Sequence, residues 1–283
     1  MPKKIPEIDE LKMVYQEVID GCSRSSKGFF VKHLCEIEQI ELIRKRLEFT
    51  AKYISAGVPT EEERITHLKE TGEWSDAQES DILSLRQTIS DNERSLHTII
   101  PQQQAAIRKI VEEHRRTLID LLTQKKSLIG TTAEELAEKD GVFFMTYLSL
   151  FSDRECTKPV FASWDEFESL EESEMNEYHQ SIDEIFDRLK EQNIRRISAL
   201  PFFLNAFSYS KEAIHTFLHR PISRLTNYQI HLFSLGTRNL SILSQSEGTC
   251  PEYFDKVAAD DILKWFDLNY SIIIGKRKQS TYS

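Results

Sequence analysis

Turn-forming residues are scarce, with nine Gly and eight Pro in 283 residues. That is too few for an all-β chain, which needs a turn about every 8–12 residues. The four cysteines, Cys22, Cys35, Cys156 and Cys250, lie far apart and form no Cys-x-x-Cys pair. This excludes the dense frameworks that staple small secreted domains and predicts reduced thiols. Long apolar runs are also missing. The longest nearly unbroken one, Val142 to Phe151, is about half of the roughly 20 residues a spanning helix requires. The amino terminus carries no hydrophobic signal region, so the expectation is a cytoplasmic protein with no membrane partner. Cations are outnumbered, 36 Lys and Arg against 46 Asp and Glu, for a net charge of −10. Such a surface repels phosphate backbones, which disfavours nucleic acid.

The signatures of common chemistry are absent too. No Gly-x-Gly-x-x-Gly, Gly-x-x-x-x-Gly-Lys-Ser/Thr or Gly-x-Ser-x-Gly pattern occurs, which removes the familiar nucleotide-binding and hydrolase motifs. The segment Gly21-Cys-Ser-Arg-Ser-Ser-Lys-Gly28 has hydroxyls and cations, but it follows a helix with the wrong spacing for a phosphate loop and reads as a solvated turn. His215 and His219 stand four apart, on one side of any helix formed there, and Glu212-x-x-His215 is a single copy of an element that di-iron bundles need twice. Packing or surface histidines are the reading. No catalytic, cofactor-binding or metal-binding residue is assigned, and the chain is expected to be non-enzymatic.

What is present is helical periodicity, so the fold class expected is all-α. Ile8, Leu11, Val14, Tyr15 and Val18 recur at helical spacing before Gly21. Gly28 to Lys32 could be a short extended piece. From Glu36 to Ala56, Ile37, Ile40, Ile43, Leu47 and Ala51 form one apolar stripe, stopped by Gly57. Thr60-x-x-Glu63 and Ser75-x-x-Gln78 are capping-box patterns, as are Thr131-x-x-Glu134 or Thr132-x-x-Glu135, Ser163-x-x-Glu166 and the Thr226 position.

The most regular stretch lies between Ser75 and Gly130. Leu85, Ile89, Leu96 and Ile99, then Ile107, Val111, His114, Leu118, Leu121, Lys125 and Leu128, follow heptad-like spacing on either side of Pro101. Two coiled-coil-like helices joined at a Pro-centred turn predict a long antiparallel hairpin. Asn92, His114 and Lys125 are polar residues in its seam or at its edge. The organisation expected is an N-terminal helical segment over 1–74, the hairpin over 75–130, and a C-terminal helical body over 131–283. The body ends in a short basic tail, Lys276, Arg277 and Lys278, with Val142 to Phe151 as its core and Pro201 kinking a later helix or dividing it in two.

Between Pro159 and Asp187 stand ten Asp or Glu and no Lys or Arg, with Trp164, Phe167, Ile182 and Ile185 among the residues of an apolar side. This acidic helix is expected to steer a basic partner through Glu168, Glu171, Glu172 and Glu174, with Phe202, Phe203, Phe207 and Tyr209 supplying apolar contact.

Two stretches carry a resemblance. Asn193-Ile-Arg-Arg-Ile-Ser-Ala-Leu-Pro-Phe-Phe-Leu-Asn-Ala-Phe207 and Pro221-Ile-Ser-Arg-Leu-Thr-Asn-Tyr-Gln-Ile-His-Leu-Phe-Ser-Leu-Gly236 resemble poorly characterised proteins of large contractile-tailed bacteriophages. Gly57-Val-Pro-Thr-Glu-Glu-Glu-Arg64 and Glu73-Trp-Ser75, ahead of the hairpin, are similar to an earlier segment of the same proteins. The resemblance implies a virion component or a tail-assembly chaperone, located in the host cytoplasm or the virion. Its partners would be other phage structural or assembly proteins, or a second copy of itself. The rival expectation is an acidic regulator of a host enzyme or transcription complex.

Overall fold

The computed structural model describes residues 7–96, 101–210, 213–246, 248–251 and 258–281. These are chiefly α-helical, with one small three-stranded sheet. The seam position Ile99 and Glu212 lie outside the described residues, as do the side chains of His215, Lys276, Arg277 and Lys278.

The chain divides into two compact units. One, the body, joins the chain up to Arg44 with the chain from Val142; the other, the hairpin unit, is Lys45–Gly141. This corrects the expected partition at 74 and 130. The described residues before 75 are shared between the two units. α1 (Glu7–Asp20) buries Leu11, Val14 and Val18 in the body, whereas α3 (Glu61–Thr71) places Leu68 in the hairpin unit. The division falls inside α2 (Glu36–Ser55) and α6 (Ala133–Ser149).

In the body, β1 (Cys22–Arg24), β2 (Phe30–Lys32) and β3 (Leu150–Phe151) make an antiparallel sheet in that order. Cys22 lies opposite Lys32, and Val31 opposite Leu150. The segment from Gly21 to Gly28 is therefore half of a β-hairpin rather than a solvated turn, with Cys22, Ser23 and Ser25 buried. The acidic stretch divides into α7 (Trp164–Glu168) and α8 (Glu172–Arg188). α9 (Glu191–Ala199) and α10 (Pro201–Tyr209) meet at Pro201, which sits in the first turn of α10, where its missing N–H is harmless. The body is completed by α11 (Ile214–Leu218), α12 (Asn227–Gln245) and α13 (Ala259–Thr281).

α9 is the centre of this unit and packs against α1, α10, α12 and α13. Its Ile194, Ile197 and Ala199 lose essentially all their surface. Arg196 forks onto Asp260 of α13 at 2.6 Å through Nε and 2.6 Å through Nη2, so the short helix is also held by charge. Asn239 of α12, fully buried, donates to the Ser198 carbonyl at 2.9 Å. Thr226 and Gln229 form the expected capping box, and Gln229 Nε2 also donates to the Val18 and Ile19 carbonyls at 3.0 Å each. One side chain thus closes the start of α12 and the end of α1.

In the hairpin unit, α4 (Asp76–Ser95) and α5 (Pro101–Ile129) run antiparallel. The polar contacts between them fix that direction: Gln104 to the Leu96 carbonyl, Arg115 to Glu93, and Lys125 to Glu79. Ile82, Ile89 and Val111 are buried, with Leu85, Leu96, Ile107, Leu118 and Leu121 half-buried along the same seam. At the base Trp74 is enclosed with Leu68, Ile82 and Ile129. Its indole donates to Glu79 at 2.8 Å, and Glu79 in turn receives Lys125 at 2.8 Å. Hydrogen bonding from Lys125 holds the Glu79 carboxyl below the usual carboxylate range. Lys125 therefore locks the hairpin register.

Candidate interaction surface

The expected acidic and aromatic contact residues divide sharply. Glu168, Glu171, Glu172 and Glu174 are all exposed, at the end of α7 and the start of α8. The Glu171 N–H donates to the Glu174 carboxylate at 3.2 Å, and acidic side chains in a first helical turn complement the positive end of the helix dipole. These carboxylates thus begin α8 as well as forming a negative patch. On the opposite face Ile182, Ile185 and Leu189 are buried in the body core.

The aromatic run is different. Phe203 and Phe207 have no exposed surface, and their rings pack with Phe217 at 6.0 and 5.5 Å. Phe202 is half-buried, edge-on to Tyr15 at 5.4 Å. Only Tyr209, 89% exposed, faces solvent. The expectation that Phe202, Phe203, Phe207 and Tyr209 together supply apolar contact is thereby corrected. In α10 the spacing of four between Phe203 and Phe207 sends both inward, and Gly236 of α12 lets the Phe207 ring approach to 3.0 Å from where a Cβ would stand.

His215 and His219 are not paired on one helix. α11 ends at Leu218 and His219 has a left-handed backbone, φ 50°, so His215 and His219 do not share a helical face. Among the described residues no group of three or more His, Cys, Asp or Glu is arranged to hold a metal. Among them, too, no helix is long and apolar enough to cross a membrane.

Among the described residues, several of the exposed large hydrophobics fall on one helix, α2. The helix starts where the Cys35 N–H donates to the Glu38 carboxylate at 2.7 Å. Burial pushes that carboxyl up, but hydrogen bonds from Cys35 and Lys32 outweigh it and hold it below its usual range. The buried side of α2 is the row Cys35, Leu42 and Phe49, seven residues apart. The stripe of Ile37, Ile40, Ile43, Leu47 and Ile54 lies on the other side, each between 46% and 66% exposed. An apolar stripe on a helix ordinarily faces a core. Here the helix carries two apolar rows and only one is covered. The sequence signal was the excess: positions 35, 42 and 49 already supply an inner row, so the isoleucine stripe is surplus.

Positions 37, 40, 44, 47, 51 and 54 continue the 3-4 alternation of a helix-pairing seam, interrupted by Arg44 and Ala51. Spacing of this kind is the one that paired helices use along their seam. Compared with known proteins, the chain matches no family model, no curated protein and no solved structure.

Proposed function

We propose that the chain is a non-enzymatic interaction protein of a contractile-tailed phage, a particle component or an assembly chaperone, that seats an apolar helix of another phage protein on α2. The observation that carries this reading is the exposure of Ile37, Ile40, Ile43, Leu47 and Ile54 along one helix. A fully buried aliphatic side chain contributes about 1.5–3 kcal/mol, so covering five half-exposed ones yields several kcal/mol of association energy. The negative patch at Glu168, Glu171, Glu172 and Glu174 supports a basic character for that partner, since opposed charges raise the rate of encounter. The same patch favours a second reading, an acidic regulator of a host enzyme or transcription complex.

The test combines binding with location. Ile40→Glu with Leu47→Glu should abolish capture of the phage partner from infected cells while leaving the melting temperature unchanged. Reversal of the four glutamates to Lys should weaken capture and blunt its salt dependence. Mass spectrometry of purified particles separates a component, present at fixed copy number, from a chaperone, present only on assembly intermediates. Co-purification with a host enzyme and no phage protein would establish the second reading. Undiminished capture by the α2 variant would overturn the proposed surface.

A further inference from the structure

We infer that Cys22 and Cys156 form a reversible thiol–disulfide site, oxidised by a small anionic disulfide of the glutathione class that enters the adjoining cleft of the body. The two residues are 134 positions apart, yet their Sγ atoms stand 3.2 Å from each other, one thiol hydrogen-bonded to the other. Cys22 opens β1 and is buried. Cys156 is partly exposed on a turn held by Asp153, whose carboxylate accepts from the Thr157 N–H at 3.1 Å and the Lys158 N–H at 2.7 Å. The Cys156 backbone is left-handed, φ 52°, a conformation that non-glycine residues seldom adopt and that this turn imposes.

Beside the pair lies a cleft of about 600 Å³, lined by Lys32, His33, Cys156, Arg220, Arg224 and Thr226 among others. Lys32 pairs with Glu38, and Arg154 with Asp20 at 2.5 Å. Arg220 donates to the Asp20 carbonyl at 2.5 Å. Neither Arg220 nor Arg224 has a carboxylate partner among the described residues. These two guanidiniums suit the carboxylates of an incoming peptide disulfide. The imidazole of His33, 2% exposed, bonds Ser23 Oγ through Nε2 at 2.9 Å, while its Nδ1 has no protein partner.

The two thiols are electrostatically unequal. The hydrogen bond shared with Cys22 lowers the Cys156 pKa; burial and Asp153 oppose this, and Lys32 and Arg220 reinforce it. Cys22 is raised by the same hydrogen bond, by burial, and by the charges of Cys156, Asp20 and Glu17. Cys156, partly exposed on the cleft wall, is the attacking sulfur, and the buried Cys22 is the resolving thiol. In the first step the Cys156 thiolate forms a bond to one sulfur of the external disulfide, whose S–S bond breaks and releases one thiolate. In the second, Cys22 passes its proton to solvent and attacks the Cys156 sulfur, breaking the mixed disulfide and releasing the second thiolate. Two protein thiols are oxidised to one disulfide, and one external disulfide is reduced to two thiols. Cys250 lacks this activation: burial pushes its thiol up to about 11.

The folded full-length chain, incubated with oxidised glutathione, quenched in acid, alkylated with a maleimide and mapped by mass spectrometry, provides the test. Two of the four thiols should disappear into a Cys22–Cys156 link that dithiothreitol reverses, and the oxidised protein should melt at a higher temperature. Cys22→Ser should instead accumulate glutathione on Cys156. Cys156→Ser should leave Cys22 reacting at least roughly tenfold more slowly, because the thiolate is the nucleophile. Circular dichroism of both variants establishes that they are folded. The inference is overturned if the link joins other cysteines, if wild type stops at a glutathione adduct, or if all four thiols survive while the urea-unfolded chain is oxidised.

Discussion

In the body α9 is packed against four other helices, whereas among the described residues of α4 and α5 only Ile82, Ile89, Val111 and Ile129 are buried. The difference is geometric. A central helix meets neighbours on several sides, while two paired helices share one seam and leave the rest of each cylinder to solvent. The body can therefore concentrate large rings in its interior, with Phe203, Phe207 and Phe266 at zero exposure. The hairpin spends its few inner positions on aliphatics, and admits His114 and Lys125 among them because its edges remain wet. The comparison separates two ways of being helical: the body derives its stability from packing density, the hairpin from length, capping and register contacts such as Glu79 with Lys125.

The sharpest way to break this comparison is to cut one inner side chain from each unit. Phe207→Ala should destabilise the body by about 3–5 kcal/mol, because the surrounding rings cannot collapse into the space. Val111→Ala should cost the hairpin about 1–2 kcal/mol, the loss of two methylene equivalents. Trp74 reports on the hairpin unit, Trp164 and Trp265 on the body, so single-tryptophan variants followed by fluorescence in urea resolve the two transitions. Equal losses would mean that the two interiors are equally tight.

A smaller effect distinguishes the units by pH. Burial, with help from the Arg220 charge, lowers His33 to about 4, against 6.5 for an unperturbed imidazole. The folded body requires the neutral ring, while the unfolded chain takes up its proton near pH 6.5. Body stability is thus whole above pH 6.5 and declines as pH falls toward 4, by about 3 kcal/mol for this group. His33→Gln should flatten that slope in the body transition and leave the Trp74 transition as it is. An unaltered slope would show that the imidazole is not the proton acceptor.

The smallest effect sharpens the picture of the hairpin. His114 is half-buried in the seam, and its Nδ1 has no protein partner. Replacing it with Leu should raise hairpin stability by about 1 kcal/mol, since an unsatisfied polar atom is exchanged for apolar contact. A lower melting temperature in the variant would show that a bound water satisfies the ring.

Much of this architecture was legible in residue order because its causes are local. The capping boxes at Thr60, Ser75 and Thr226 depend on side chains three residues apart, and all three form. The helical pairing of α4 and α5 draws on apolar residues read directly from the chain, and Ile89 and Val111 among them are buried. Pro201 separates two helices because it lacks an N–H wherever it sits. The acidic face of α8 is equally local, a matter of which residues share one side of a helix.

What periodicity could not decide is which side of a helix meets a neighbour. α2 offers two apolar rows, and only tertiary packing selects Cys35, Leu42 and Phe49 for the inside and leaves Ile37, Ile40 and Leu47 exposed. In α10 the aromatic run reads as a contact surface until α11 and α12 close over Phe203 and Phe207. The meeting of Cys22 with Cys156 has no local signal at all, because 134 residues separate them and only the folding of the body brings them together. Composition and spacing determined the helices of this protein and their ends; the burial of each face, and every contact between distant residues, was decided by packing, where many weak interactions compete for the same limited interior.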